Sequence, residues 1–296
     1  MNSYDDILTE NSGQSKAFTA EQKQEWAAQR DSERDYVFGL IRDATEQMTA
    51  GNGNLQTYLD VQSRFDKYSV ANAILIAVQR PDATRLDDGQ GWNEKGVRIR
   101  KGETGMYLLA PGKEFTKRDG TPGVSYNVKK QFDISQTNAK PEPVPEVSTD
   151  PRLLLKSLIR DAPCEIVVDE AQCGKSNALY NAEKQTIFVR PGMEFPILFR
   201  SLTQELAVAH LSKGGMPREK SFYIAYCASY MLCRRNNIAV DGFRFDRVPD
   251  YFSQLGEKEV KEQLSKMRDT ANAISSGMNK VLEAAKASKP PDRDSR

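Results

Sequence analysis

The sequence predicts an α+β protein in two parts, and three observations carry that expectation. Apolar residues recur at helical spacing from Tyr36 to Val78, then give way to short alternating runs punctuated by glycine turns. That is the order of helices followed by an antiparallel sheet. A second succession, of helix, strands and long helices, begins near residue 151. Between the two, Lys140-Pro141-Glu142-Pro143-Val144-Pro145 places three prolines in a short polar stretch, the composition of an extended, semi-stiff linker.

The boundaries that follow are a disordered N-terminus over 1–18, a first domain over 19–136, the linker over 137–150, a second domain over 151–286 and a disordered, solvated tail over 287–296. A chain of 296 residues fits two domains of about 100–200 residues each.

Each element has its own justification. Thr19 with Gln22 makes a capping box, and Tyr36, Val37, Leu40, Ile41, Ala44 and Met48 then mark one helix face until Gly51-Asn52-Gly53 stops it. Leu55, Tyr58, Leu59, Gln62 and Phe65 mark a second helix. Ser69 can cap a third, which runs through Val78 and ends before Pro81. Val97 to Arg100 alternates as a strand, Gly102-Glu103-Thr104-Gly105 is a turn, and Met106 to Ala110 is an apolar strand stopped by Pro111. Asp119-Gly120 turns the chain into a longer strand from about Val124 to Ile134. The second part opens with a helix around Leu153 to Ile159 and a strand from Glu165 to Val168. A hairpin follows, with Ala178-Leu179-Tyr180 and Thr186 to Val189 as its arms. Helices are expected over about 196–211, 220–235 and 256–285.

Composition excludes several classes. With 39% hydrophobic and 28% charged residues the chain is a folded, globular one. Lysine and arginine total 42 against 41 acidic residues, a net charge of +1, so any nucleic-acid affinity must come from local clustering. No run approaches the roughly 18 apolar residues of a membrane span, and Met1-Asn2-Ser3-Tyr4-Asp5-Asp6 lacks signal-peptide features. The expectation is a cytoplasmic protein with no membrane partner. Cys164, Cys173, Cys227 and Cys233 show no CxxC spacing and are expected as reduced thiols.

The most informative local pattern is Gln204-Glu205-Leu206-Ala207-Val208-Ala209-His210. Zinc hydrolases build their helix on His-Glu-x-x-His, where two imidazoles four residues apart face one metal and the glutamate polarises its water. Here only Glu205 is kept. Gln204 and Val208 hold the histidine positions, and His210, the single histidine of the chain, lies off the required face. The expectation is no metal, no cofactor and no catalysis. Glu205 is expected to bond to Gln204, Tyr226 or a buried water, and His210 to face solvent or the rim of a polar pocket.

A second constellation belongs to nucleic-acid binding. Arg64, Lys67, Arg98, Arg100, Lys101, Lys129 and Lys130 are interleaved with Tyr68, Trp92, Tyr107 and Tyr126. Single strands are held by cations along the phosphates and aromatic faces against the bases. Against this stand Asp60, Asp66, Asp82, Asp87, Asp88 and Glu94, which dilute the field, and the ordinary use of Phe65 and Trp92 as core. Ser69 and Asn72 suit a helix cap and equally a helix start that offers N–H groups to a phosphate.

Several ordered blocks resemble the N-terminal domain of ArdC-type antirestriction proteins: Gln62-Ser63-Arg64-Phe65, Tyr68-Ser69-Val70-Ala71-Asn72, Trp92, Arg100-Lys101-Gly102-Glu103-Thr104-Gly105 and Phe132 to Thr137. The second part resembles the zincin-like metallopeptidase half of the same family, related to ImmA/IrrE peptidases. The resemblance implies a single-stranded DNA-binding domain using Arg64, Tyr68, Ser69, Asn72, Trp92, Arg98, Arg100 and Lys101. It also places Tyr226 where a third, glutamate ligand would stand, so that Gln204, Val208 and Tyr226 replace all three. The expected function is single-stranded DNA binding for a mobile or conjugative element, antirestriction-like, with an inactive peptidase-like domain as scaffold. Two alternatives stay open: a protein-interaction module capturing a host- or element-encoded regulator or restriction component in the old cleft, and a hydrolase with a non-standard metal site. The long terminal helix is expected to pack across the second part.

Overall fold

A computed structural model describes residues 19–50, 54–139 and 150–287, the side chains of Val248 and Pro249 excepted. The expected disordered terminus over 1–18, the stop at residues 51–53, linker residues 140–149 and tail residues 288–296 lie outside the described residues.

Helix α1 (Ala20–Thr49) starts at the expected capping box: Gln22 N–H donates to Thr19 Oγ1 at 3.2 Å and Thr19 N–H to Gln22 Oε1 at 3.1 Å. Its buried stripe is Val37, Ile41, Ala44, Thr45 and Met48. Helix α2 (Asn54–Arg64) and helix α3 (Val70–Gln79) pack beside it, and Ser69 caps α3 by accepting the Asn72 N–H at 3.2 Å.

A short strand β1 (Leu86–Asp87) and helix α4 (Gly89–Glu94) follow, neither of which the apolar pattern signals. Strands β2 (Met106–Thr116) and β3 (Pro122–Asp133) form a long hairpin, and the antiparallel sheet runs β1-β3-β2. Two expectations need correction here. Over Val97 to Arg100 there is no strand, only a single bridge from Ile99 to Thr137. Gly96 and Gly102 adopt positive φ on either side and turn the chain away from a ladder. Pro111 does not end β2. It lies on an edge strand, where a missing N–H is tolerated, and the register slips between Pro111 and Glu114 in a bulge. Thr137, expected as the first linker residue, is buried in that bridge.

The second part runs helix α5 (Pro151–Arg160), β4 (Glu165–Val168), β5 (Ala178–Asn181), β6 (Thr186–Val189), helix α6 (Phe195–Lys213), helix α7 (Arg218–Arg235), helix α8 (Val248–Phe252) and helix α9 (Glu257–Ala287). Its sheet is ordered β4-β6-β5, with β4 parallel and β5 antiparallel to β6. Helix α9 crosses α5, α6 and α7 as expected, and also reaches α1 and α3. One connected core therefore includes Tyr58, Leu59 and Ile74 from the first part together with Cys227, Tyr230 and Met267 from the second. The class is α+β. Among the described residues no helix is long and apolar enough to cross a membrane.

Candidate functional site

Helix α6 carries Glu205 at its centre, and the side chain is only 4% exposed. The turn after α6, Gly214-Gly215-Met216-Pro217, reverses the chain so that α7 begins with Arg218 beside that carboxylate. Arg218 Nη1 lies 2.8 Å from Glu205 Oε2 and Nη2 lies 2.8 Å from Oε1, a two-pronged ion pair. Oε2 also accepts the N–H of Tyr180 at 2.8 Å, from edge strand β5. The hydrogen-bonded carboxylate raises the Arg218 guanidinium further above its ordinary value. The partners expected for Glu205, Gln204, Tyr226 or a water, are thus replaced by a cation and a backbone donor.

The neighbouring positions carry no comparable chemistry. Gln204 is half-buried and makes no side-chain hydrogen bond among the described residues. Val208 is buried in the core. Tyr226 accepts the Arg244 N–H at 2.6 Å, and its ring sits 4.9 Å from Phe243 and 6.3 Å from Tyr223. Burial raises its phenol, which keeps it protonated. His210, expected at solvent or a polar rim, lines a small pocket whose walls are mostly apolar, Leu158, Pro163, Leu206 and Ile274 among them, with Ser157 and Asp161 as polar members.

A catalytic zinc centre takes about three good protein ligands with one open position, and a structural one takes about four. Val208 offers no donor atom, Tyr226 is a protonated phenol in use as an acceptor, and Glu205 is already neutralised. These residues do not fit a divalent cation. Among the described residues, no three His, Cys, Asp or Glu side chains lie close enough to hold one elsewhere. All four cysteines are free thiols, and burial raises Cys164 to about 11.

The residues expected at nucleic acid divide into two sets. Arg64 holds the loop after α3, donating Nε to Ala83 O at 3.1 Å and Nη2 to Pro81 O. Tyr68 donates its hydroxyl to Gln131 Oε1 at 3.2 Å. Asn72 clasps the backbone of Leu109, donating Nδ2 to its carbonyl at 2.9 Å and accepting its N–H at 2.8 Å. Ser69 is the exposed cap of α3. Trp92 is 1% exposed, with Nε1 donating to Phe132 O at 2.9 Å. Arg100 is held by Glu103 and by the carbonyls of Ser135 and Thr137. Arg98 and Lys101 are exposed, and neither side chain has a partner among the described residues.

One face of the β2–β3 hairpin carries Tyr107, Tyr126 and Lys130, while Lys129, paired with Leu108, projects from the opposite face. Register pairs Tyr107 with Lys130 and Pro111 with Tyr126, so these four side chains project from the same side of the β2–β3 hairpin. Lys130 Nζ lies 4.9 Å from the Tyr107 ring centroid, and Tyr36 from α1 meets Tyr107 edge-on at 5.8 Å. Tyr36 and Tyr126 are 57% and 50% exposed, which leaves aromatic surface open to a ligand. Gly105 borders this face because a Cβ there would stand 2.9 Å from the Phe132 ring. Tyr36 and Arg218 are the residues that the reading of motifs missed. Tyr36 looked like part of a buried stripe, and Arg218 lies in no motif.

The helices and the two small sheets make an α+β fold similar to that of the antirestriction protein ArdC. Two solved structures carry that statement, both of ArdC from plasmid R388. The metal-free one is 16% identical, with a TM-score of 0.50 over 72% of this chain and 86% of that one. The Mn(II)-bound one is 16% identical, with a TM-score of 0.55 over 81% of this chain and 98% of that one. At that identity the likeness is one of fold. No protein-family model matches the chain, and no curated protein matches it significantly.

Proposed function

We propose that this chain binds single-stranded DNA for a mobile or conjugative element, in an antirestriction-like role, and that its zincin-like second part is a scaffold without catalysis. The observation that carries the reading is a fold likeness to a plasmid antirestriction protein running over 98% of that protein. The β2–β3 face supplies chemistry suited to the task, with Tyr36, Tyr107 and Tyr126 for bases and Lys130 beside them. Arg98 and Lys101 add exposed cations whose side chains have no internal partners among the described residues.

The test is fluorescence anisotropy of labelled oligo-dT with the full chain across salt. Three phosphate contacts on a single strand give a log–log slope of about −2, a loss of roughly 20-fold between 50 and 200 mM salt. Tyr126→Ala should weaken binding by about 5–100-fold, the value of one base stack. An affinity that ignores salt, or a Tyr126→Ala variant that binds like the parent, refutes the interface.

A further inference from the structure

Glu205 is the part of the metal-hydrolase pattern that this chain keeps, and the structure leaves little of it free. A carboxylate offers about four lone-pair directions. Three are filled, two by the Arg218 guanidinium and one by the Tyr180 N–H, all at 2.8 Å. The carboxylate is almost wholly buried, and Arg218 is about one-third exposed. Buried charge persists when it is paired and hydrogen-bonded, and the planar guanidinium fork meets that need without a metal.

We infer that Arg218 supplies the positive charge a divalent cation would otherwise bring to this carboxylate, and that it bars a metal ion from α6 independently of Gln204, Val208 and Tyr226. The inference rests on reading the second part as a module without a metal centre, but it adds a separate barrier. Restoring ligands on α6 and α7 would still leave a guanidinium beside the ion. Like charges in a pocket of low polarity repel strongly. Both Glu205 oxygens would also remain turned toward Arg218, away from any metal-bound water. By accepting from Tyr180, the same carboxylate keeps the outer N–H of β5 occupied.

The experiment is a Zn(II) and Mn(II) titration of the full chain by calorimetry, with Mn(II) paramagnetic resonance as a second readout. Three proteins are compared: the parent, the triple variant Gln204→His/Val208→His/Tyr226→Glu, and the triple variant with Arg218→Met added. The parent should take up neither metal. Stoichiometric uptake by the parent overturns the metal-free reading itself. The quadruple variant should bind about 10–100-fold more tightly than the triple, the usual scale of an outer-sphere change. Equal affinity in the two, or no binding by either when both are folded, overturns the role given to Arg218.

Val208 is buried, so the ligand variants can fail to fold, and single substitutions then decide. Arg218→Met should lower Tm by about 3–6 °C, discounted for the exposure of Arg218. Arg218→Lys should recover part of that loss, and Glu205→Leu/Arg218→Met most of it, because no charge is left unpaired. An Arg218→Met variant with unchanged Tm refutes the inference.

Discussion

Replacing Asn72 by alanine separates a DNA contact from a structural clasp. The Asn72 amide bonds both backbone groups of Leu109 on strand β2, at 2.9 and 2.8 Å, and Gln79 does the same for Tyr107, at 2.9 and 2.8 Å. Helix α3 thus caps the outer edge of β2 with two side-chain amides, in place of a further strand. Asn72→Ala removes two hydrogen bonds worth about 1 kcal/mol each net, and it leaves the N–H and carbonyl of Leu109 without partners. Leu109 is 8% exposed, so water can relieve only part of that desolvation. The expected destabilisation is about 2–4 kcal/mol, or a Tm lower by roughly 3–6 °C in a chain of this size. Asn72→Asp should be no better, because its carboxylate would face the Leu109 carbonyl. Urea unfolding followed by circular dichroism gives the stability, and oligo-dT affinity is read well below Tm. A variant with an unchanged midpoint and a tenfold loss of DNA affinity would refute the clasp and return Asn72 to the interface.

The remaining predictions concern Trp92 and His210. Trp92→Ala should cost about 3–5 kcal/mol in urea unfolding, since it empties a core position and removes one donor from the Phe132 carbonyl; a loss below about 1 kcal/mol would contradict its burial. In a Trp26→Phe variant the remaining indole is the buried Trp92, so native emission should be blue-shifted and resist acrylamide, whereas Trp26 is 60% exposed. Burial, then Lys213, lower the His210 pKa, with Asp161 opposing them. Asp161 itself faces Lys280 of α9 at 3.9 Å. A histidine pKa lowered by folding favours the neutral form. Its stabilisation is therefore complete above the unfolded value of about 6.5 and is lost as pH falls below it, down to the folded value. Tm measured from pH 7.5 to 5 should fall more steeply in the parent than in His210→Gln, and parallel slopes would contradict this assignment.

Local signals were legible wherever the chain declares itself locally. Thr19 with Gln22, Ser69 before Val70, and the alternating arms of the β5–β6 hairpin all place elements within a few residues of where they stand. The failures share one physical cause, a partner distant in sequence. Pro111 stays in its strand only because β2 is an edge clasped by α3, which no window around Pro111 reveals. The alternation at Val97 to Arg100 mimics a strand, but its hydrogen bonds go to Gln136 and Asn138. For the candidate sites, the missing histidines at Gln204 and Val208 are a matter of residue type, whereas Tyr226 enters only through the family resemblance. Arg218 could be read from neither, because its role exists only once the α6–α7 turn brings it to Glu205. Trp92 and Arg100 show the converse limit, since residue types suited to nucleic acid are equally suited to hold a loop or fill a core.

The word scaffold acquires physical content from α7. Arg218 anchors its first turn to α6, and its last turns are bonded to α2. Tyr230 donates to Asp60 at 2.8 Å, Arg234 pairs with the same carboxylate at 2.8 Å, and Arg235 donates to the Ser63 carbonyl at 3.2 Å. Burial and Asp60 raise the Tyr230 phenol to about 12, so it remains the donor in that bond. Asn272 of α9 adds a bond to the Asp66 carbonyl just beyond α2. Helix α2 packs on α3, and α3 holds the edge of β2 through Asn72 and Gln79. A continuous series of contacts therefore runs from the closed carboxylate at Glu205 to the hairpin that displays Tyr107, Tyr126 and Lys130. A face fixed in this way loses little conformational freedom when a flexible strand settles on it, so more of each stacking and phosphate contact appears as affinity. On this reading the second part acts on DNA through the rigidity it gives the first, which requires a filled core and a satisfied Glu205 but no metal.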